Sequence, residues 1–298
     1  MTRAILLVLL ALGLPGLCSR AADVPPLNEP ATAEKHPGKF IWSNLLTDNP
    51  DGAASFYSGL FGWTAATVEL TTPKGARTEV VLRNGDRPVA GIVRRPALLQ
   101  DNAHGRWVGY ISVPDVAESV AIATRSGCHL ISHARDVPAR GTQAILADPE
   151  GAVIGLMHSS SGDPADYLAE PGDWAWAELF ARNPESAGQF YRAIAGFECI
   201  PDTRFEKSNT LILTSGGYSR AGLSPVPARP KAHPVWVLFV RVADVKAAAA
   251  KAVQLGGRVL VPPGDTPTEF WRAIIADPSG AHLGLVELHE TNSPEGQP

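Results

Sequence analysis

Apolar and polar positions along this chain fall into four units of similar layout. Two open with strand-like runs, Ile41-Trp42-Ser43-Asn44-Leu45-Leu46 and Ala175-Trp176-Ala177-Glu178-Leu179-Phe180. Each run leads to an asparagine-proline pair, Asn49-Pro50 and Asn183-Pro184. Asparagine accepts hydrogen bonds from the free first-turn amides of a helix, and proline at the first helical position gives up no needed donor. Asp51 and Glu185 add negative charge where the helix dipole favours it. Ala53, Phe56, Tyr57 and Leu60 follow at helical spacing, matched by Ala187, Phe190, Tyr191 and Ile194. Gly62 and Gly196 stop these helices.

The other two units carry the same plan. A strand is expected over 107–113, a helix over 115–126 and a stop at Gly127; then a strand over 235–242, a helix over 244–255 and a stop at Gly256. Three strands should follow each helix. Asp148-Pro149-Glu150-Gly151 and Asp277-Pro278-Ser279-Gly280 place proline second and glycine fourth, as tight turns between antiparallel strands do. Near the end of each unit a glycine stands among apolar residues: Gly91, Gly155, Gly222 and Gly284. The pattern predicts an α+β protein of four βαβββ units, two in each of two domains, over 39–160 and 173–290. A chain of 298 residues is long enough for each domain to bury its own core. Residues 161–172 read as a linker between them, 23–38 (with Pro25, Pro26, Pro30 and Pro37) as an extended linker, and 291–298 as a tail.

Composition adds exclusions. The chain is 45% hydrophobic and 19% charged, with a formal net charge of -4. It has no basic excess and no Lys/Arg run, so nucleic acid is not an expected partner. Residues 1–22 read as a signal peptide: Arg3, then an apolar stretch over 4–14 too short to span a bilayer comfortably, then Pro15-Gly16 and small residues for cleavage around Ala21 and Ala22. Export to the periplasm or medium is expected, with no transmembrane segment in the mature chain. Lipid anchoring through Cys18 is disfavoured by the bulky Leu17 before it. Cleavage leaves Cys128 and Cys199, in different domains, which make no disulfide framework.

Phe56-Tyr57 and Phe190-Tyr191, Phe61-Gly62-Trp63 and the two Asp-Pro-x-Gly turns together resemble the vicinal oxygen chelate superfamily, which includes glyoxalase I, bleomycin-resistance proteins and extradiol dioxygenases. The resemblance covers about residues 38–290 and is similar to a tandem, glyoxalase-like subgroup. It implies that paired units curl into half-open barrels with a cup. It also implies that a divalent metal sits there, held by residues of the first and last strands. Counting from the family motifs, the first-strand positions fall on Trp42, Val108, Trp176 and Val237, and the last-strand positions on Gly91, Gly155, Gly222 and Gly284. None of these eight side chains can ligate a metal, whereas divalent ions need about four to six donors. No metal or other cofactor is therefore expected at the family site.

Strand alternation brings Trp42, Asn44, Val108, Tyr110, Val153 and Met157 into the first cup, and Trp176, Glu178, Val237, Phe239, His282 and Val286 into the second. Such an apolar and aromatic lining with few polar groups suits a small-molecule pocket, but it also suits a filled core. The ligand-binding candidates are Trp42, Asn44, Tyr110, Trp176, Glu178, Phe239 and His282. Glu178 and His282 are also candidate catalytic residues, as an acid/base pair; alternatively Glu178 is a paired structural carboxylate. His36, His104, His129, His133, His158, His233 and His289 read as solvated or structural. Three functions remain: an exported protein that binds a small, partly apolar molecule without the family metal, a lyase, isomerase, dioxygenase or hydroxylase of the same superfamily, and a scaffold for a protein partner.

Overall fold

The computed structural model describes residues 22–72, 75–95, 105–203, 209–228, 232–264 and 270–288. The expected leader up to residue 21, Cys18, His104, His289 and the tail lie outside them. A short strand β1 (Ala22–Asp23) precedes the first unit, β2 (Phe40–Thr47), α1 (Pro50–Phe61), β3 (Thr64–Thr72), β4 (Gly75–Asn84) and β5 (Arg87–Arg94). The second unit is β6 (Arg106–Ser112), α2 (Val116–Arg125), β7 (His129–Val137), β8 (Gly141–Ala147) and β9 (Val153–Ser159). The third is β10 (Trp174–Ala181), α3 (Pro184–Ala195), β11 (Glu198–Pro201), β12 (Leu211–Ser215) and β13 (Tyr218–Pro225). The fourth is β14 (Val235–Arg241), α4 (Val245–Gln254), β15 (Arg258–Gly264), β16 (Phe270–Ala276) and β17 (His282–Leu288).

The local signals act as their chemistry requires. Asn49 accepts from the Gly52 amide and Asn183 from the Ser186 amide, each at 3.1 Å, and Gly62 and Gly196 end α1 and α3 at φ of +76° and +72°. In every unit the opening strand lies parallel to the closing one: β2 to β5, β6 to β9, β10 to β13 and β14 to β17. Units join in pairs through antiparallel opening strands, β2 with β6 and β10 with β14. The result is two curled sheets, ordered β1-β3-β4-β5-β2-β6-β9-β8-β7 and β11-β12-β13-β10-β14-β17-β16-β15. This is the α+β tandem of half-open barrels that the repeats predict.

The halves also share a core: the main buried cluster runs from Leu45, Tyr57 and Trp63 in the first half to Leu179, Tyr191 and Leu285 in the second, while a smaller buried cluster lines each cup by itself. Helix α1 packs on α4 and α2 on α3, while β6 meets β14 between them. The physical reason is that the apolar helix faces of each half find their best cover on the other. Two reciprocal hydrogen-bond chains cross this boundary. Trp107 Nε1 donates to Tyr57 Oη at 2.8 Å, and Tyr57 Oη donates to Asp277 Oδ2 at 2.9 Å. In the mirror arrangement Trp236 Nε1 donates to Tyr191 Oη at 2.8 Å, and Tyr191 Oη donates to Asp148 Oδ2 at 3.0 Å. The tyrosine of each Phe-Tyr pair thus locks onto the Asp-Pro-x-Gly turn of the opposite half. Burial pushes both phenols well above their ordinary value, so they act as donors at any working pH.

Val24, Pro25 and Leu27, at the start of the segment 24–38, lie against the first cup. Val24 packs with Val68, Leu70, Val81 and Val137, joining the β3–β4 and β7 sides of the mouth, and Leu27 packs on the cup lining. Ser161 Oγ accepts from the Leu27 and Asn28 amides at 3.0 and 3.2 Å, and Asp163 Oδ2 accepts from the His36 amide at 2.7 Å. The segment is a strap stitched to the end of the first half.

Candidate functional site

Strand register brings each glycine beside one cup residue: Gly91 beside Asn44, Gly155 beside Tyr110, Gly222 beside Glu178 and Gly284 beside Phe239. A Cβ added at any of the four would overlap that neighbour's side chain. The glycines are therefore seats in which a cup side chain lies flat against the adjoining strand. Trp42 and Trp176, the first-strand positions counted in the sequence, stand two residues before Asn44 and Glu178 on the same strands.

In the first cup Trp42, Asn44 and Tyr110 come together as one chain. Trp42 Nε1 donates to Asn44 Oδ1 at 2.7 Å, and Asn44 Nδ2 donates to Tyr110 Oη at 3.2 Å. Val108, Val153, Met157, Ile41, Leu46 and Ile145 fill the rest. Trp42 is only 8% exposed, and burial pushes the Tyr110 phenol up to about 12. Under the strap, this cup is packed.

The second cup repeats the motif with a charge in it. Trp176 Nε1 donates to Glu178 Oε2 at 2.8 Å, and the Ser224 hydroxyl donates to Glu178 Oε1. Glu178 is 5% exposed, so these two donors and its seat over Gly222 hold a nearly buried carboxylate in one orientation. Val237, Phe239 and Val286 form the buried floor, and Trp176, Phe180, Ala175, Val235 and Leu288 stand around it half-buried. His282 opens β17 and shares the inner face with Gly284. Register places it two strands from Glu178, with Val237 on the row between them, about 10 Å at ordinary strand spacing. The structure thus joins Trp176 to Glu178 and seats Phe239 on Gly284, with His282 two strands from Glu178 on the same face.

Sequence reasoning missed Ser224 and Arg140. Ser224 stands two residues beyond Gly222, and strand alternation alone would have put it on the cup face. Arg140 sits at the β7–β8 turn, where no periodicity operates. Outside the cups, a cleft of about 300 Å³ opens between the halves, lined by Thr47, Asn49, Arg258, Asp277 and Ser279. At the related position in the other half, Glu150 closes the gap by accepting from the Arg182 and Asn183 amides at 2.6 and 3.0 Å.

The family's metal positions carry no donor side chain. Where the last-strand donors would stand, glycine seats are filled by Asn44, Tyr110, Glu178 and Phe239, and the first-strand positions are tryptophan and valine. Among the described residues no three His, Cys, Asp or Glu side chains cluster closely enough to hold a metal ion.

The family model for the glyoxalase/bleomycin resistance protein/dioxygenase superfamily matches residues 39–156 and 174–285. Among curated relatives, "Putative glyoxylase CFP32" of Mycobacterium tuberculosis is 30% identical over 260 residues, spanning 87% of this chain and 98% of the relative. Anthracycline biosynthesis protein DnrV of Streptomyces peucetius is 30% identical over 265 residues, spanning 85% and 94%. Among solved structures, the Mn(II)-bound glyoxalase of Novosphingobium aromaticivorans superposes with a TM-score of 0.54 at 14% identity, covering 88% of this chain and 86% of that one. The 2,3-dioxygenase LapB of Pseudomonas sp. KL28 gives 0.53 at 16% identity, covering 90% and 97%. At such identities the structures speak for the fold alone. Matched over most of both halves by sequence, the chain belongs to the glyoxalase/bleomycin resistance protein/dioxygenase superfamily.

Proposed function

We propose that this protein is an exported, small-molecule-binding member of its superfamily, that its working site is the second cup, and that it operates without the family metal. The observation that carries this is Glu178: a nearly buried carboxylate, oriented by Trp176 and Ser224, at the floor of an aromatic cup whose rim is only half-buried. Each carboxylate oxygen accepts one protein bond and has a lone pair left. The ligand that complements it has an apolar, planar body for Trp176 and Phe180 and a hydroxyl or amine donor for Glu178. Two relatives named for anthracycline biosynthesis accord with a planar aromatic ligand.

The test uses 2-naphthol as a probe, followed by quenching of tryptophan emission. Glu178→Gln is expected to weaken its binding about tenfold, the scale of one hydrogen bond to a charged acceptor, with the fold intact. Unchanged affinity would remove Glu178 from the site. Elemental analysis before and after dialysis against chelator is expected to find no stoichiometric divalent metal.

A second reading, acid/base catalysis by Glu178 and His282 in a lyase, isomerase or dioxygenase, draws on their shared face and on the relatives named as glyoxylases. Tightly bound stoichiometric metal would put that reading first.

A further inference from the structure

A buried cation faces the first cup. Arg140 is 3% exposed, and its guanidinium lies over the Trp42 ring, 3.5 Å from the centroid. Its Nε donates to the Pro25 carbonyl of the strap at 2.6 Å, while Nη1 is buried with no acceptor. A buried guanidinium ordinarily has a carboxylate or phosphate on its fork. Glu79, whose charge acts on it most, is bonded instead by Arg77. Burial lowers the Arg140 pKa to about 9, as expected of a cation lacking a bonded counter-ion. The turn that delivers it is strained, with Ala139 at a φ of +61°, the only non-glycine residue at positive φ among those described.

The strap imitates a ligand. The Pro25 carbonyl supplies one acceptor to Arg140, and Leu27 supplies an apolar body against the Trp42, Val108 and Met157 lining. A neutral carbonyl leaves Nη1 without an acceptor and the guanidinium without a bonded counter-ion; an anion of the same reach would supply both.

We propose that the first cup is a latent receptor for a planar organic carboxylate, with Arg140 as anion anchor, the apolar lining of the cup as its wall and the strap around Pro25–Leu27 as the self-ligand it displaces. This stands apart from the second-cup reading: it uses other residues and the opposite charge preference.

The experiment is calorimetric titration of the full chain with 2-naphthoate and with 2-naphthamide, its neutral isostere. Naphthoate is expected to bind at least tenfold tighter, and Leu27→Ala, which loosens the strap, to tighten it several-fold further. Arg140→Gln is expected to abolish the preference over the amide, with its thermal transition retained. Trp176→Ala, which disables the second cup, should leave naphthoate affinity within twofold. Should Arg140→Gln fail to fold, the acid/amide comparison and Leu27→Ala decide the matter. Equal binding of acid and amide, no gain in Leu27→Ala, or loss of naphthoate binding in Trp176→Ala would each overturn the proposal.

Discussion

The two cups are built from the same motif and have gone opposite ways. In both, a strand tryptophan donates to the residue two positions later, and that residue lies over a glycine of the parallel strand. In the first cup the acceptor is Asn44, neutral and passed on to Tyr110, and a strap covers the mouth. In the second it is Glu178, charged, held by Ser224, with half-buried aromatic neighbours. Repetition gives both cups their shape; among the described residues, one charge and one covering segment separate their chemistry.

Substitution of the seats should break the comparison most severely. Gly155→Val and Gly284→Val force the buried rings of Tyr110 and Phe239 off their strands. Each is expected to cost about 3 kcal/mol or more, beyond the usual overpacking range because the backbone approach is lost as well. Denaturant unfolding would check this; Gly222→Ala is expected to cost less, since Glu178 can turn toward the half-buried rim. A second test sets the interlocks against each other. Tyr57→Phe and Tyr191→Phe each leave a buried aspartate short of one donor and should cost about 1–3 kcal/mol, equally in the two halves if the pseudo-symmetry is energetic as well as geometric.

A smaller effect concerns coverage. Acrylamide should quench Trp176 more than Trp42, read in the Trp42→Phe and Trp176→Phe variants, and Ser161→Ala should raise quenching of Trp42 by freeing the strap amides. The smallest is electrostatic. Burial alone would raise the Asp166 pKa, but bonds from Arg220 and Lys39 outweigh it and bring it down to about 2, below the usual 3.8. Its contribution is therefore complete above pH 4 and lost as pH falls toward 2. The stability difference between wild type and Asp166→Asn should shrink over that window; a pH-independent difference would deny the bridge a role.

Most of the fold was legible because it is written in local chemistry. Asn-Pro caps, Gly62, Gly196 and the Asp-Pro-x-Gly turns act within a few residues of themselves, and apolar spacing marked the rest. The cup faces followed from strand alternation. What lay beyond the sequence depends on contacts between distant residues: Tyr57 and Asp277 are 220 positions apart, and Pro25 and Arg140 are 115 apart. No periodicity reports that a proline-rich segment turns back over a cup, or that the helix layers of the two halves share one buried cluster. The glycines were conspicuous in sequence as empty ligand positions, and their role as seats required the register of the neighbouring strand.

The crossed Tyr–Asp bonds have a consequence for how such a molecule can change. Each half finishes the other, as two subunits of a symmetric dimer would, with the linker fusing them into one chain. A free-standing half would present an uncovered helix face and an aspartate without its tyrosine. Fusion removes the requirement that both copies stay alike: one cup can be sealed while its twin remains accessible, a division of labour that a dimer of identical chains cannot encode.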